Sequence, residues 1–335
     1  MITVIGAGPA GCYYASKVKN EDIIIFEDHK QIGKPVSCTG ILTDSISEIF
    51  KVPSQLIVNK IKNFKIVSPN GKSLIVPMRR PNLILDRARF DQHMADLAID
   101  NGAKIHLGER FLSYSKQNNS YIIQTSKKKY NSDMLVGADG PFSRVARQSG
   151  LYGNRKSVKG LQVRCKMQGL DAETTETRLG IGEFSWIVPE GDGIARVGII
   201  GNDINIMKAE LKKMIGKSRI LEDQSGAIPL YNTLQKLSYD NVFLIGDAAT
   251  QVKATTYGGI LYGIHAAKLL AENKETYEKK FNSRFKKELW LSLKMRQYMN
   301  LMTAKDYNFI VDMFQKEKNK EILSKHDRDY PSKMI

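Results

Sequence analysis

The strongest constraint on this chain lies near its start, where Gly6-Ala7-Gly8-Pro9-Ala10-Gly11 sits between an apolar run, Thr3–Ile5, and a segment of helical composition, Pro9–Val18. In a Gly-x-Gly-x-x-Gly turn the first glycine makes the bend, the second lets a pyrophosphate approach the backbone, and the third lets helix pack on strand. The helix N-terminus then meets the phosphate charge. A second apolar run, Asp22–Phe26, completes a βαβ opening. Glu27 closes it, twenty-one residues after Gly6, where a carboxylate accepts both ribose hydroxyls and disfavours a 2′-phosphate. The expected ligand is FAD or NAD.

A later element favours flavin. Asn241–Ile245 reads as a buried strand leading into Gly246-Asp247, and a helix opened by Gly258 and Gly259 runs on to Ala271. In that geometry Asp247 reaches a ribitol chain, and the helix N-terminus faces the flavin edge that becomes anionic on reduction. An NAD site has no use for this second element, so the predicted cofactor is FAD.

Between the two signals, Leu85–Asn101 has helical periodicity with Phe90, Met94, Leu97 and Ala98 on one face, and Lys104–Leu107, Tyr121–Thr125 and Met134–Ala138 read as strands. Leu161–Met167, Glu176–Leu179, Phe184–Val188 and Ala195–Ile200 alternate as antiparallel strands do, and Asn205–Ile215 is a helix beyond them. The expected fold is α/β. A discontinuous Rossmann-like FAD-binding domain (residues 1–52, 80–150 and 225–270) carries an inserted antiparallel-sheet substrate domain (53–79 and 151–224) and a C-terminal helical region (271–335), with the active site expected between the two domains.

With 335 residues the chain can bury a sizeable core, and no apolar run reaches the roughly eighteen residues of a membrane-spanning helix. The first strand begins almost at residue 1, leaving no room for an export signal, and Cys12, Cys38 and Cys165 form neither a disulfide framework nor a metal pattern, so a cytoplasmic location is expected. The net charge is +16, and Gly140–Leu170 holds Arg144, Arg147, Arg155, Lys156, Lys159, Arg164 and Lys166 with no acid. Solvated surface, attraction to anionic lipid headgroups and attraction to an acidic redox partner all account for that run. No nucleic-acid-binding motif accompanies it, and nucleic acid is not an expected partner.

In this order the motifs resemble the flavoprotein hydroxylase superfamily and, within it, the geranylgeranyl reductase family of archaeal lipid and chlorophyll side-chain biosynthesis. Pro35-Val-Ser-Cys38-Thr39-Gly40 is similar to the family segment beside the isoalloxazine, and Leu85-Asp-Arg87-Ala-Arg-Phe-Asp91 to its arginine-containing helix start. Gly137-Ala-Asp139-Gly140 resembles the superfamily's Asp-Gly motif, Gly246-Asp247 its second ribose motif, and Asp329-Tyr-Pro-Ser-Lys333 the archaeal ending. The resemblance implies FAD contacts at Gly8, Ala10, Glu27, Cys38, Thr39, Arg87, Asp247, Gly259 and Ile260, with Leu112 beside the adenine. Asp139 is either a cofactor contact or a purely structural residue.

Phe184-Ser-Trp186-Ile-Val188-Pro189 resembles the family's Tyr-x-Trp-x-Phe-Pro element, which lines a prenyl pocket; Phe184 and Val188 depart from it, and Ile181 stands where a proline is usual. Tyr257 replaces a customary glycine near the flavin. The implied activity is reduction of carbon–carbon double bonds in a polyprenyl lipid, with hydride from reduced FAD and a proton from elsewhere. Cys38 is the candidate for exchangeable chemistry, as proton relay or flavin gate, with simple packing as the alternative. His265 is expected to pack. The electron donor is a ferredoxin, a deazaflavin or NAD(P)H. In the tail, Trp290, Leu291, Leu293, Met295, Tyr298, Met299, Leu301 and Met302 recur at helical spacing among Lys and Arg, a pattern for capping the substrate tunnel, resting peripherally on a membrane or packing on the sheet. The competing readings are a flavin monooxygenase acting on an apolar substrate and a non-catalytic prenyl-binding escort protein.

Overall fold

The computed structural model describes residues 1–325 and 329–334. The chain forms two compact units: one from Met1–Lys34, Arg87–Ser157 and Pro229–Leu293, the other from Pro35–Asp86, Val158–Ile228 and the chain from Lys294 onward.

The first unit is built on a six-stranded sheet in the order Ser238–Tyr239, Val242–Leu244, Met134–Gly137, Ile2–Ile5, Ile23–Phe26, Lys104–His106. All neighbours are parallel except the outermost Ser238–Tyr239. Every residue of Ile2–Ile5 and of Met134–Gly137 is buried, which is why these segments are apolar without alternation. From Ile2–Ile5 the chain first builds outward on one side, through Ile23–Phe26 and Lys104–His106, and returns to the other side with Met134–Gly137. The strand order reverses there, and the C-terminal ends of strands at such a reversal are where open α/β sheets take their ligands. The helices Pro9–Lys17, Arg87–Asp100 and Ile260–Glu272 pack together. A three-stranded antiparallel sheet, Phe111–Gln117, Ser120–Thr125 and Lys129–Ser132, completes the unit.

The second unit is an eight-stranded sheet in the order Arg219–Pro229, Ser157–Lys166, Ile194–Gly201, Phe184–Gly191, Thr174–Arg178, Ile57–Val67, Ser73–Leu85, Ile41–Leu42. Thr174–Arg178 and Ile57–Val67 run parallel. One face gathers Val163, Cys165, Ala195, Val197 and Ile199 under Met207 and Leu211 of the helix Ile204–Ile215. Burying side chains of this size gives about 1.5–3 kcal/mol each. The helix starts where the Asp203 carboxylate accepts the Asn205 and Ile206 amides, and stops at Gly216 with φ +55°, both ordinary end signals. A second cluster packs Val311 of the helix Ala304–Phe314 against Leu74 and Val76.

Three expectations change. The helix expected from Leu85 begins at Arg87, because the Leu85 and Asp86 amides donate to the carbonyls of Gly40 and Leu56 and Leu85 ends a strand. The hairpin Ile57–Val67/Ser73–Leu85 gave no strand signal, since Pro77 and Pro81 interrupt it and the register jumps from Ile61↔Asn82 to Asn63↔Pro77. In the helix Tyr277–Met299 the buried stripe is Tyr277, Phe281, Phe285, Leu289, Ser292 and Arg296, whereas Trp290 and Tyr298 point outward.

Candidate functional site

The glycine turn of the first unit is shaped by backbone contact. At Gly6 φ is +102°, and a Cβ there would lie 2.4 Å from the Ala138 carbonyl oxygen. A Cβ on Gly11 would lie 2.2 Å from the Gly6 carbonyl oxygen. Neither position admits a side chain. Gly8 differs, having nothing within 4 Å of where a Cβ would be although its φ of −74° and ψ of 176° suit any residue. The empty space beside it is room for a group from outside the protein.

Glu27 leaves the end of its strand, and its Oε2 accepts the Ala7 amide at 2.9 Å while Oε1 accepts the His29 amide at 3.0 Å and faces His29 Nδ1 at 2.6 Å. Each carboxylate oxygen takes two hydrogen bonds, so Oε2 keeps capacity for a ribose hydroxyl. Ala10 closes the other side of the turn, its methyl 3.2 Å from where a Cβ of Gly246 would lie. Arg87 forks onto Asp91 one helical turn away, at 2.9 Å. Leu112 sits at an irregularity of the small sheet, its carbonyl accepting Gln148 Nε2 at 2.7 Å.

Asp139 has a structural task. Its Oδ1 accepts the Ser143 hydroxyl at 2.6 Å, and Oδ2 accepts the Arg144 and Val145 amides at 2.7 and 3.2 Å, which secures the start of the helix Arg144–Gln148. Asp247 stands in the turn after Val242–Leu244, where Gly246 has φ +64°. Burial pushes its carboxyl up to about 6, against the opposing pull of Arg87 and Arg155. A Cβ on Gly259 would lie 2.9 Å from Asp247 Oδ1, so this glycine makes room for the carboxylate. Gly258 is exposed, and Ile260 opens the helix that follows. Tyr257 is buried with φ +56°, keeping the left-handed backbone that glycine usually supplies.

Arg155 was visible in sequence only as one member of a basic run. Its Nη1 donates to the Pro141 carbonyl at 3.0 Å and its Nη2 to the Ala248 carbonyl at 2.7 Å, tying the loop after Asp139 to the turn after Asp247. Its guanidinium and that of Arg147 each lie 4.2 Å from the Tyr152 ring centroid. His265 is buried against Phe285, and burial brings its imidazole down to about 4, so it is neutral near pH 7.

In the second unit, Phe184, Trp186 and Val188 alternate along one face of Phe184–Gly191, and Pro189 lies on the other. The indole lies over Gly198, where a Cβ would be 2.2 Å from Trp186 Cζ2. The Phe184 ring is 5.8 Å from the indole and is overlain by the Arg296 guanidinium at 5.1 Å. The Cys38-Thr39-Gly40 segment belongs to this unit. Cys38 is half-buried, its Sγ accepting the Gly40 amide at 3.3 Å, whereas Cys12 and Cys165 are fully buried. The buried Arg196 donates from Nη1 to the Thr39 carbonyl at 2.5 Å, from Nη2 to the Leu85 carbonyl at 2.9 Å and from Nε to Glu190 at 2.5 Å. No sequence signal marked it, because a charged residue in an alternating strand reads as a solvated one.

No protein-family model matches the sequence. Digeranylgeranylglycerophospholipid reductase 3 of Methanosphaera stadtmanae is 31% identical over 294 residues, covering 77% of this chain and 73% of that protein. The chain belongs to the digeranylgeranylglycerophospholipid reductase family. Among solved structures, a geranylgeranyl bacteriochlorophyll reductase-like protein of Thermoplasma acidophilum superposes with a TM-score of 0.89 at 24% identity, covering 100% of this chain and 95% of that one. A halogenase mutant solved in complex with FAD superposes with a TM-score of 0.67 at 13% identity, covering 86% and 73%. The chain is accordingly an oxidoreductase, on a fold that the halogenase uses to hold FAD. The open space at Gly8, the remaining capacity of Glu27 and the cradle that Gly259 makes for Asp247 fit that cofactor.

Two outcomes follow from this geometry. Gly8→Ala is expected to leave stability within about 1 kcal/mol while lowering the flavin content of the purified protein. Gly11→Ala, which collides with backbone, should cost about 1–3 kcal/mol in urea unfolding; retention of full FAD affinity by Gly8→Ala would refute the assignment. Asp247 holds its proton more tightly folded than unfolded, so its contribution is present below about pH 4 and is lost as pH rises through about 6. In FAD-free protein, melting temperatures across this range should therefore fall for wild type relative to Asp247→Asn.

Proposed function

We propose that this chain reduces carbon–carbon double bonds in the geranylgeranyl chains of a membrane lipid or its precursor. The observation that carries the proposal is the apolar row Phe184, Trp186 and Val188 on one sheet face, in a chain whose relatives are named digeranylgeranylglycerophospholipid reductases. Bound FAD would supply the hydride for one alkene carbon, with reducing equivalents drawn from a ferredoxin, a deazaflavin or NAD(P)H.

The chain's own residues hold the reactants. Gly8 gives the pyrophosphate room beside the N-terminus of Pro9–Lys17, Glu27 binds the ribose and Asp247 the ribitol. Gly258 and Ile260, at the start of the helix after Asp247, would be further contacts. Phe184, Trp186 and Val188 bind the prenyl chain and exclude water, which an unactivated alkene needs because it accepts hydride poorly, whereas Pro189 faces the core side of the strand and takes no part. Cys38 carries at Sγ the exchangeable proton assigned to the second alkene carbon.

The substrate also supports peripheral contact with a lipid surface. Among the described residues no helix is long and apolar enough to cross a membrane. Leu301 is 81% exposed and Phe309 68%, and Lys305 lies one helical turn before Phe309. An outward apolar pair with a cation beside it suits an anionic bilayer face.

The test is anaerobic. Protein reduced with dithionite is mixed with geranylgeranyl lipid, flavin reoxidation is followed by its visible spectrum, and products are weighed by mass spectrometry. The expected product gains two hydrogens per bond, and Cys38→Ala slows turnover about a hundredfold. A flavoprotein inert to the lipid without oxygen, yet hydroxylating an apolar compound with it, would overturn the reading.

A further inference from the structure

We propose that Gln162 is a positioning residue that fixes the Cys38–Gly40 segment and the Trp186 indole in one arrangement; the functional meaning of that arrangement rests on the reductase reading above. Gln162 pairs in register with Gly198, and Gly198 with Trp186, so the three positions form one row across three strands. The middle position has no side chain, and the indole crosses it to reach Gln162, donating from Nε1 to Oε1 at 2.9 Å.

An indole N–H only donates, so it turns the oxygen end of the Gln162 carboxamide toward Trp186. The same oxygen accepts the Thr39 hydroxyl at 2.9 Å, and the nitrogen end donates to Gln224 Oε1 at 2.5 Å. Gln162, Gln224 and Trp186 are all buried. One carboxamide thus uses both acceptor positions of its oxygen on two separate elements, with Gln224 holding it from behind.

Thr39 is the residue after Cys38, and Arg196 grips its carbonyl at 2.5 Å. Arg196 holds that backbone whatever stands at 162. The Thr39 hydroxyl and the indole N–H depend on Gln162, and removing its oxygen strands the buried indole N–H and the half-buried hydroxyl together. A structural role alone predicts a change in stability; the positioning role predicts that Cys38 and Trp186 change together.

Both have clean reporters. Cys38 is the half-buried thiol, Cys12 and Cys165 being fully buried, so iodoacetamide labelling of folded protein reads Cys38. In a Trp290→Phe background Trp186 is the sole emitter, since the chain has two tryptophans. Gln162→Met keeps length and removes the acceptor. Its Cys38 labelling is expected to quicken about fivefold and its Trp186 emission to shift to longer wavelength. Gln162→Glu keeps an oxygen acceptor for the indole N–H and the Thr39 hydroxyl, and should keep both signals at their wild-type values. Thr39→Val removes only the hydroxyl, and should quicken Cys38 labelling while leaving Trp186 emission in place.

Folded Gln162→Met with wild-type labelling and emission would overturn the proposal. Should Gln162→Met fail to fold, unchanged labelling in Thr39→Val would overturn it equally. Neither reporter needs lipid turnover, so failure here is separate from failure of the reductase reading.

Discussion

The carbonyl oxygen of Gly6 occupies the place where a Cβ of Gly11 would be, 2.2 Å away, and the first unit is organised around that approach. It holds Pro9–Lys17 close against Ile2–Ile5, and it sets the glycine turn at the point where the strand order reverses. Gly263 repeats the device less severely, a Cβ there lying 3.3 Å from the Cα of Gly246, so the helix Ile260–Glu272 packs closely on the turn that carries Asp247. Two bare backbone contacts therefore place the N-termini of two helices, each beside an acidic residue that closes a strand or turn. Charge and hydrogen-bonding capacity follow from where the main chain can touch itself.

The second unit uses side chains for the same end. Arg196 and Gln162 leave the sheet on the face opposite the apolar core of Val163, Val197 and Ile199, and together they engage the carbonyl and hydroxyl of Thr39. A buried guanidinium bonded to two backbone carbonyls and a carboxylate is held only while every partner stays. The segment from Cys38 is thus fastened at a residue that an irregular loop would otherwise leave loose.

The motifs that depend on the main chain were legible in the sequence: Gly6 and Gly11 announce themselves because no side chain fits there, Gly8 belongs to the same spaced turn, and Gly246 marks a left-handed turn before Asp247. The central strands of the first sheet, Ile2–Ile5, Ile23–Phe26 and Met134–Gly137, were legible too, being largely apolar runs without alternation. What escaped was polar and long-range. Gln162, Arg155 and Arg196 have the composition of solvent-facing residues, and only the fold shows that they are enclosed. The hairpin Ile57–Val67/Ser73–Leu85 was hidden by its lysines and prolines, and the outward Trp290 drew attention from the true buried stripe of Phe281, Phe285 and Leu289. Asp139, legible as a motif, is occupied by Ser143 and two amides of its own helix start.

The contact between Trp186 and Gly198 has a consequence for how this face of the sheet changes over generations. The indole occupies the volume that any side chain at 198 would need, so the two positions form a lock with a fixed order of opening. A lineage that first shrinks Trp186 removes the harder clash and leaves the Leu161 carbonyl oxygen, 2.9 Å from a Cβ at 198, as the contact that still has to give. One that begins at Gly198 meets the ring at once, and that path is closed.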